Sequence, residues 1–246
     1  MKKQTILLLT IIALVFSTAA CGVTNISTRS IRGNGNVVEE SRQVGSFNEV
    51  RLSGIGSLYI EYGDEESLVI EAEENLMRYI ETDVSSQKLV IGLEEHLSFN
   101  PTEDINYYLT VVDLEGVEIS GLGSVYLPEV ETDSFDIHIS GAGDVSIDAL
   151  YADRLDAELS GLGDVDIDGG EVDSQNVRIS GSGTYSARRL QSNTADVHVS
   201  GLGSATVTVE DYLEARISGA GDINYYGSPE INVDISGLGS LHSLGD

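Results

Sequence analysis

Two aspartates that directly follow a glycine-rich turn are the first residues in this sequence whose type and spacing could do chemistry. The segments Gly-Ala-Gly-Asp144 and Gly-Leu-Gly-Asp164 are similar to glycine–aspartate repeats that bind calcium through carboxylate oxygens. Those repeats recur about every nine residues, whereas these two aspartates are 164 − 144 = 20 residues apart. We therefore predict no metal site and keep Asp144 and Asp164 only as weak candidates for a divalent cation.

The turn itself, Ser-Gly-x-Gly, is the dominant repeat of the chain. Its copies begin at Ser53, Ser120, Ser140, Ser160, Ser180, Ser200, Ser218 and Ser236. Phosphate-binding glycine loops open onto a helix and add a lysine or a third glycine, and these copies do not have that context. A fixed period of this length is typical of one structural unit stacked on copies of itself.

Aligning the copies on their serine shows two short strands in each repeat. One and three residues before the serine the side chains are apolar, as in Ile139 and Ile137, and the residue between them, such as His138, is ionisable. Five and seven residues after the serine they are again mostly apolar, as in Val145 and Ile147. Alternation of this kind predicts strands with one buried face.

The fold class that this pattern predicts is all-β, a parallel single-stranded β-helix with coils of about 20 residues. Coils pair at about 4.8 Å, so seven of them would form a rod of roughly 34 Å. A β-sandwich would not keep equivalent residues at constant spacing, and a propeller blade needs about 40 residues.

The repeat also predicts a role for each of its positions. We expect the first glycine to adopt a conformation closed to residues with a Cβ, and the stacked serines to form a hydroxyl ladder. We expect the outward ionisable residues to form weak surface pairs. The residue between the glycines should fill a corner of the core. It is Leu122, Ala142, Leu162, Ser182, Leu202, Ala220 or Leu238.

Composition excludes one class of partner. The chain has 41 acidic and 13 basic residues, a formal net charge of −28. Nucleic-acid binding depends on lysine and arginine contacts with phosphate, so we exclude a nucleic-acid role.

The N-terminus predicts export. Lys2 and Lys3 precede an apolar segment, Ile6 to Phe16, that is too short to span a bilayer, so residues 1–20 are typical of a signal peptide. The following segment, Thr18-Ala19-Ala20-Cys21-Gly22, resembles a lipobox, in which Cys21 becomes the lipidated first residue. Thr18 departs from the usual leucine or valine, and ordinary cleavage that leaves a free thiol is the alternative.

The remaining chain divides into three parts. Residues 21–45 are polar and glycine-containing, which predicts a lipidated cysteine and a flexible tether, although part of it could pair with the first coil. Residues 46–116 have irregular strand spacing and predict larger coils, and residues 117–246 predict regular ones. We expect the chain to be exported and anchored by Cys21 in a membrane, at the outer membrane or cell surface.

The irregular part also leaves an enzymatic alternative open. Many β-helices act on polysaccharides through carboxylates on long loops between coils. Only the loops at 73–106 are long enough here, and they carry Glu94, Glu95, His96, Glu103 and Asp104.

Several segments resemble the bacterial head GIN domain family, a family of adhesins of the autotransporter type. They are the lipoprotein-like start, Phe47-Asn48-Glu49-Val50, Ser53-Gly54-Ile55-Gly56, the segment from Glu71 to Leu76, and the later Ile-Ser-Gly-x-Gly repeats. The resemblance covers about residues 44 to 240. It implies an exported β-helical protein and brings no catalytic residues.

Together these observations predict a non-enzymatic, adhesin-like surface lipoprotein. We expect it to use no cofactor and to bind an extracellular or envelope ligand that the sequence does not identify. The open coil end around Leu238, Leu241 and Leu244 would also let a second copy pair there to form a homo-oligomer.

Overall fold

The structure is a computed structural model, and it describes residues 29–94 and 96–245. In this part of the chain the strands are β1 (Arg29–Arg32), β2 (Val37–Arg42), β3 (Glu49–Leu52), β4 (Ser57–Tyr62), β5 (Ser67–Glu73), β6 (Ile80–Ser85), β7 (Lys88–Leu93), β8 (Leu97–Asn100), β9 (Asn106–Val111), β10 (Gly116–Ile119), β11 (Ser124–Ile139), β12 (Val145–Leu159), β13 (Val165–Ile167), β14 (Gly170–Ile179), β15 (Thr184–Val199), β16 (Ser204–Ile217), β17 (Ile223–Tyr226), β18 (Glu230–Ile235) and β19 (Leu241–Ser243). One short helix, α1 (Glu74–Met77), follows β5.

Each regular coil is one long strand that bends, closed by a Ser-Gly-x-Gly corner. In β11 the buried positions run Val125, Leu127, then Val130, then Phe135 and Ile137. The steps of three and five residues break the period of two, so the strand bends twice between these runs. The sequence predicted two strands per coil, and the structure adds a third side between them.

The coils stack in parallel with the predicted register. Val125 pairs with Val145, Val145 with Val165, and Val165 with Tyr185, so equivalent positions lie one above the other. The parallel β-helix with coils of about 20 residues is thus confirmed. Its core is one cluster of buried apolar side chains, most of them aliphatic, from Phe47 to Ile223.

The irregular N-terminal part stacks out of sequence order. Strand β3 lies between β7 and β10, and β4 lies between β9 and β11, so the coil formed by β7 and β9 precedes the coil formed by β3 and β4. Strands β5 and β6 then run antiparallel along the outer edges of β9 and β7. This reversal closes the end of the core, because it pairs the last parallel edge.

The structure also changes the extent of the predicted tether at 21–45. Strand β2 pairs antiparallel with β5 over Val37–Arg42, and β1 pairs in parallel with β8. The pairing with the first coils that the sequence left open is therefore extensive.

Two coils are shorter than the others, in agreement with the serine spacing of 18 residues near the C-terminus. The pairing of β15 with β16 shifts register between Ala187 and Gln191 and again between Ser192 and Thr194. The shorter coil therefore has fewer residues on its third side. The two sides that flank the Ser-Gly-x-Gly corner keep the register of the other coils.

The C-terminal coil is open on its outer side within the described residues. Val233 and Ile235 of β18 are 48% and 45% exposed, whereas Val197 and Val199, at the same positions two coils earlier, are 0% exposed. Of the leucines that the sequence predicted at this end, Leu238 and Leu244 are exposed, whereas Leu241 packs partly against the core.

Candidate binding surfaces

The corners show why glycine is required there, and the reason differs from the prediction. Gly141 and Gly143 do not adopt a positive φ. A Cβ on Gly141 would overlap the carbonyl oxygen of Gly121, and one on Gly143 would overlap the carbonyl oxygen of Gly123. Close approach of the preceding coil, rather than backbone conformation, excludes a side chain.

The corner serines donate to the preceding coil rather than to one another. The hydroxyls of Ser140, Ser160 and Ser200 lie 3.4–3.5 Å from the carbonyl oxygens of Ile119, Ile139 and Ile179. These long contacts tie each coil to its neighbour. The predicted serine–serine ladder is thus replaced by a serine–carbonyl ladder.

The weak cation candidates are bonded to the backbone. Asp144 Oδ1 accepts a hydrogen bond from the amide of Asp164 at 2.9 Å, and Asp164 Oδ1 accepts one from the amide of Thr184 at 2.6 Å. Asp222 repeats the arrangement with the amide of Ser240 at 2.8 Å. Each carboxylate therefore fastens its coil to the next. Among the described residues, no group of three or more His, Cys, Asp or Glu side chains is placed to hold a metal ion.

The residues between the two glycines do not fill the core, and that prediction was wrong. Leu122, Leu162 and Leu202 are 68–70% exposed, and Leu238 is 90% exposed. The second glycine lies against the preceding coil, so the corner turns the intervening side chain out to solvent.

The outward ladder beside the serines forms only some of the expected pairs. Glu118 pairs with Arg51 and Lys88, and His138 Nδ1 lies 3.5 Å from Glu158 Oε2. Arg216, by contrast, pairs with Asp196. This residue is on the neighbouring strand, two positions before the one directly opposite Arg216. Most of these side chains are exposed or partly exposed to solvent, so the pairs contribute little to stability.

The loop residues of the enzymatic alternative lie at the closed N-terminal end. Strand β8 pairs with β1, and the segment that follows is held by the buried carboxylate of Glu73. Glu73 accepts hydrogen bonds from Thr102 N at 2.9 Å, Thr102 Oγ1 at 2.6 Å and Gly35 N at 2.5 Å.

These contacts set the charge state of Glu73. Burial favours the neutral form, but the hydrogen bonds from Thr102, Gly35 and Glu103 outweigh it and hold the pKa of Glu73 below its usual value. The carboxylate thus joins three segments of the cap. Glu94, His96, Glu103 and Asp104 lie on the cap that it fastens, and Glu95 lies outside the described residues.

A row of three tyrosines is the aromatic surface that sequence analysis missed. Tyr108, Tyr59 and Tyr126 occupy the same outward position on β9, β4 and β11. Their rings stack, with centroids 5.5 Å apart for Tyr59 and Tyr108 and 5.0 Å apart for Tyr59 and Tyr126, at interplanar angles of 18° and 12°. Each ring is 40–44% exposed. We call this row the tyrosine ladder.

The ladder has one polar end and one open end. At the first end Tyr108 Oη donates to Glu71 Oε2 at 3.3 Å, and burial together with the Glu71 carboxylate raises the pKa of Tyr108. At the other end Tyr126, which is 42% exposed, pairs with Ser146, whose small side chain has no ring to continue the stack. The same position continues in later coils with hydrogen-bonding side chains. They are Asp166, Ser186, Thr206, Asn224 and His242.

The sequence contained a signal for the ladder. Leu58-Tyr59-Ile60, Tyr107-Tyr108-Leu109 and Val125-Tyr126-Leu127 each have tyrosine between two inward residues. The stacking order could not be read from them, because β9 precedes β4 in the structure but follows it in sequence.

The third side of the coils carries a strongly acidic surface. An open cavity of about 610 Å³ is lined by Tyr151 and by five carboxylates. These are Glu131, Asp133, Asp153, Glu171 and Asp173. This surface repels anionic ligands at neutral pH.

Lipidation at Cys21 is not addressed by the structure, since Cys21 lies outside the described residues. Within the described part, no helix has both the length and the hydropathy needed to cross a membrane.

The fold and its surfaces define a class, that of single-stranded β-solenoids with closely stacked glycine corners. Within this class the chain belongs to the family described as "Putative auto-transporter adhesin, head GIN domain", whose model matches residues 46–229. The resemblance noted in the sequence is thus confirmed. The family is one of adhesin-like proteins, which indicates a surface or exported protein.

Solved structures share the fold. A "putative adhesin" from Bacteroides fragilis superposes with a TM-score of 0.83 at 24% identity, covering 87% of this chain and 100% of that one. One from Parabacteroides merdae gives 0.70 at 18% identity, covering 88% and 99%. A "Putative lipid binding protein" from Parabacteroides distasonis gives 0.70 at 23%, covering 88% and 100%. The search of curated proteins found no match.

Proposed function

We propose that this protein is a non-enzymatic surface lipoprotein whose solenoid binds a neutral glycan at the tyrosine ladder. The observation that carries the proposal is the stack of three partly exposed tyrosines, which ends at Tyr126 next to the small side chain of Ser146. Membership of an adhesin family supports a binding role, and the ladder supplies a place for it.

The ladder suits a sugar because an aromatic ring and hydrogen-bonding side chains lie next to each other at its Tyr126 end. The CH groups of a pyranose ring pack on the electron-rich face of an aromatic ring. Beyond Tyr126, the side chains of Ser146 and Asp166 follow at the same outward position. Successive coils are about 4.8 Å apart, a spacing that lets hydroxyls of one sugar reach both side chains. A row of such positions suits an extended polymer better than a small molecule.

The negative charge of the protein restricts the kinds of glycan that can bind. The net charge of −28 and the carboxylates of the third side disfavour sulfated or uronate-rich polymers. A neutral polysaccharide does not meet this repulsion. We therefore assign the ligand to neutral glycans.

A glycan array tests this assignment. We expect the wild-type chain to bind neutral glycans and a Tyr59→Ser/Tyr126→Ser variant to lose that binding. Tyr151→Ser is a matched control, since Tyr151 is 43% exposed on another side of the coil. Equal binding by wild-type and ladder variant, or binding of the wild type to sulfated glycans alone, would reject the ladder as a neutral-glycan site.

The proposal that the protein is not an enzyme rests on the structural role of the 94–106 segment. This segment pairs with β1 and is fastened by Glu73, so its carboxylates belong to a cap. Incubation of the full chain with the polysaccharides that it binds should release no new reducing ends. Release of oligosaccharide that is abolished by Glu103→Gln would favour the enzymatic alternative.

The anchor is proposed at Cys21, on the lipobox-like sequence alone. We expect labelled palmitate to be incorporated by the wild-type chain in cells and to be lost in Cys21→Ser, which should leave the membrane fraction. A Cys21→Ser chain that stays in the membrane fraction, or a wild-type chain without label, would exclude this anchor.

A further inference from the structure

The row of residues between the corner glycines is an apolar ridge that core packing does not explain. From Leu122 to Leu238 the residues are Leu, Ala, Leu, Ser, Leu, Ala and Leu, one per coil. All seven are exposed. A leucine thus stands out on every second coil, and a small side chain stands between each two.

The ridge is held firmly by its backbone. The amide of Leu162 donates to Gly141 O at 3.0 Å, and the amide of Leu202 donates to Gly181 O at 2.9 Å. Coils lie about 4.8 Å apart, so successive leucines lie about 10 Å apart. The gap between them, over an alanine or serine, is wide enough for one leucine side chain.

We infer that this ridge binds the same ridge of a second copy, with the two rows antiparallel. The two-fold axis passes between the coils of Leu162 and Ser182. Leu162 then faces the partner's Ser182, Leu202 faces the partner's Ala142, and Leu122 faces the partner's Ala220. Three leucines of one row, Leu122, Leu162 and Leu202, thus each enter a gap of the other row, and each contact occurs twice, as an isologous interface requires.

Electrostatics selects this register. The carboxylates nearest the ridge are Asp144, Asp164 and Asp222, each directly after the second glycine of its corner. In an antiparallel two-fold arrangement the same flank of each row faces its copy. Asp144 then lies opposite the partner's Ser204, Asp164 opposite the partner's Thr184, and Asp222 opposite the partner's Ser124.

The neighbouring registers are worse. A shift of one row by two coils in one direction would place Asp164 opposite the partner's Asp222. A shift by two coils in the other direction would place Asp144 opposite the partner's Asp164. Like charges directly opposed across a contact are unfavourable. Only the register centred between Leu162 and Ser182 joins six coils without opposing two carboxylates.

A second copy fits the ridge better than an unrelated partner. The alternation of large and small residues is complementary to itself when shifted by one coil. The ridge itself and the flank with the corner serines carry no charge, and in this register the carboxylates of the other flank lie opposite hydroxyl side chains, so two chains of charge −28 can approach here. The strip is only about one residue wide, below the roughly 1,000 Å² of a stable interface, so we expect a weak dimer.

Disulfide trapping tests the register. Two variants are made in the full-length Cys21→Ser chain, Ala142→Cys and Leu202→Cys. Each variant is tested alone, and a third sample is a mixture of the two. Residues 142 and 202 face each other across the proposed axis. Within one variant the two cysteines lie three coils apart, about 14 Å, which is too far for a disulfide.

We expect a cross-linked dimer in the mixture and none in either single variant, with sedimentation of the Cys21→Ser chain showing concentration-dependent association. Leu162→Ser/Leu202→Ser should weaken that association at least tenfold, and circular dichroism checks that it folds. Cross-linking of each variant with itself would indicate parallel rows and overturn the inference. Failure of the mixture to cross-link at millimolar concentration would also overturn it.

Discussion

At the scale of single residues, carboxylates act here as fasteners of the backbone. Asp144, Asp164 and Asp222 each accept an amide hydrogen bond from the following coil. In the cap, Glu73 accepts two amide hydrogen bonds and one from a hydroxyl. Charge-assisted bonds of this kind are stronger than neutral ones. They offset part of the repulsion between carboxylates that lie close together in so acidic a chain.

The first prediction concerns calcium. Since Asp144 and Asp164 already bond to amides, we expect the melting temperature to be the same in EDTA as after addition of excess calcium. Differential scanning calorimetry at constant ionic strength measures this, with magnesium as the control for general screening. A rise of several degrees with calcium alone would contradict this prediction.

The second prediction concerns Glu73. Glu73→Gln replaces an acceptor of three hydrogen bonds with an amide whose NH₂ group would face donors, so we expect a loss of about 1–3 kcal/mol in the free energy of unfolding. Denaturant titration measures it, and Glu65→Gln, at an exposed position, is the matched control. A Glu73→Gln chain as stable as wild type would contradict the role of Glu73 as the fastener of the cap.

The same variant gives a pH dependence. The pKa of Glu73 is lowered in the folded chain, so its stabilisation is complete above the ordinary pKa of about 4.3 and is lost as pH falls through the folded value. The stability difference between wild type and Glu73→Gln should therefore be constant near neutral pH and shrink below about pH 4. A difference that grows on acidification would contradict the lowered pKa.

At the scale of elements, the corner sets how closely the coils stack. The third prediction is that Gly143→Ala destabilises the protein by more than about 2 kcal/mol, since the Cβ would meet the carbonyl of Gly123. Ala142→Ser, on the adjacent exposed residue, should change stability by less than about 0.5 kcal/mol. Thermal unfolding compares the two. Equal effects would mean that the corners are not close-packed.

Periodicity predicted the elements of the regular coils but not a polar network inside them. Gln175 lies at an inward position where the neighbouring coils have Leu155 and Ala195. It is buried, donates to Ser192 Oγ at 2.8 Å and accepts from Tyr185 Oη at 3.0 Å. The three side chains of this network come from different sides of the solenoid. Alignment on the serine cannot show that they meet.

At the scale of the whole molecule, the sequence predicted a parallel solenoid because each regular coil repeats the same inward positions. It did not predict the N-terminal end, where β7 and β9 enter the stack ahead of β3 and β4 and β5 and β6 run antiparallel. Strands that are distant in sequence pair at this end, so the sequence has no repeat there from which the pairing could be predicted. The tyrosine ladder depends on that pairing, and for this reason the candidate site was harder to predict than the fold.

The most direct test of the proposed binding role is an isothermal titration of the best neutral glycan from the array into wild type, Tyr126→Ala and Tyr151→Ala. Aromatic stacking contributes about 1 kcal/mol, so we predict that Tyr126→Ala raises the dissociation constant at least about fivefold. Tyr151→Ala should bind as wild type does. Equal affinity of all three chains would contradict binding at the tyrosine ladder.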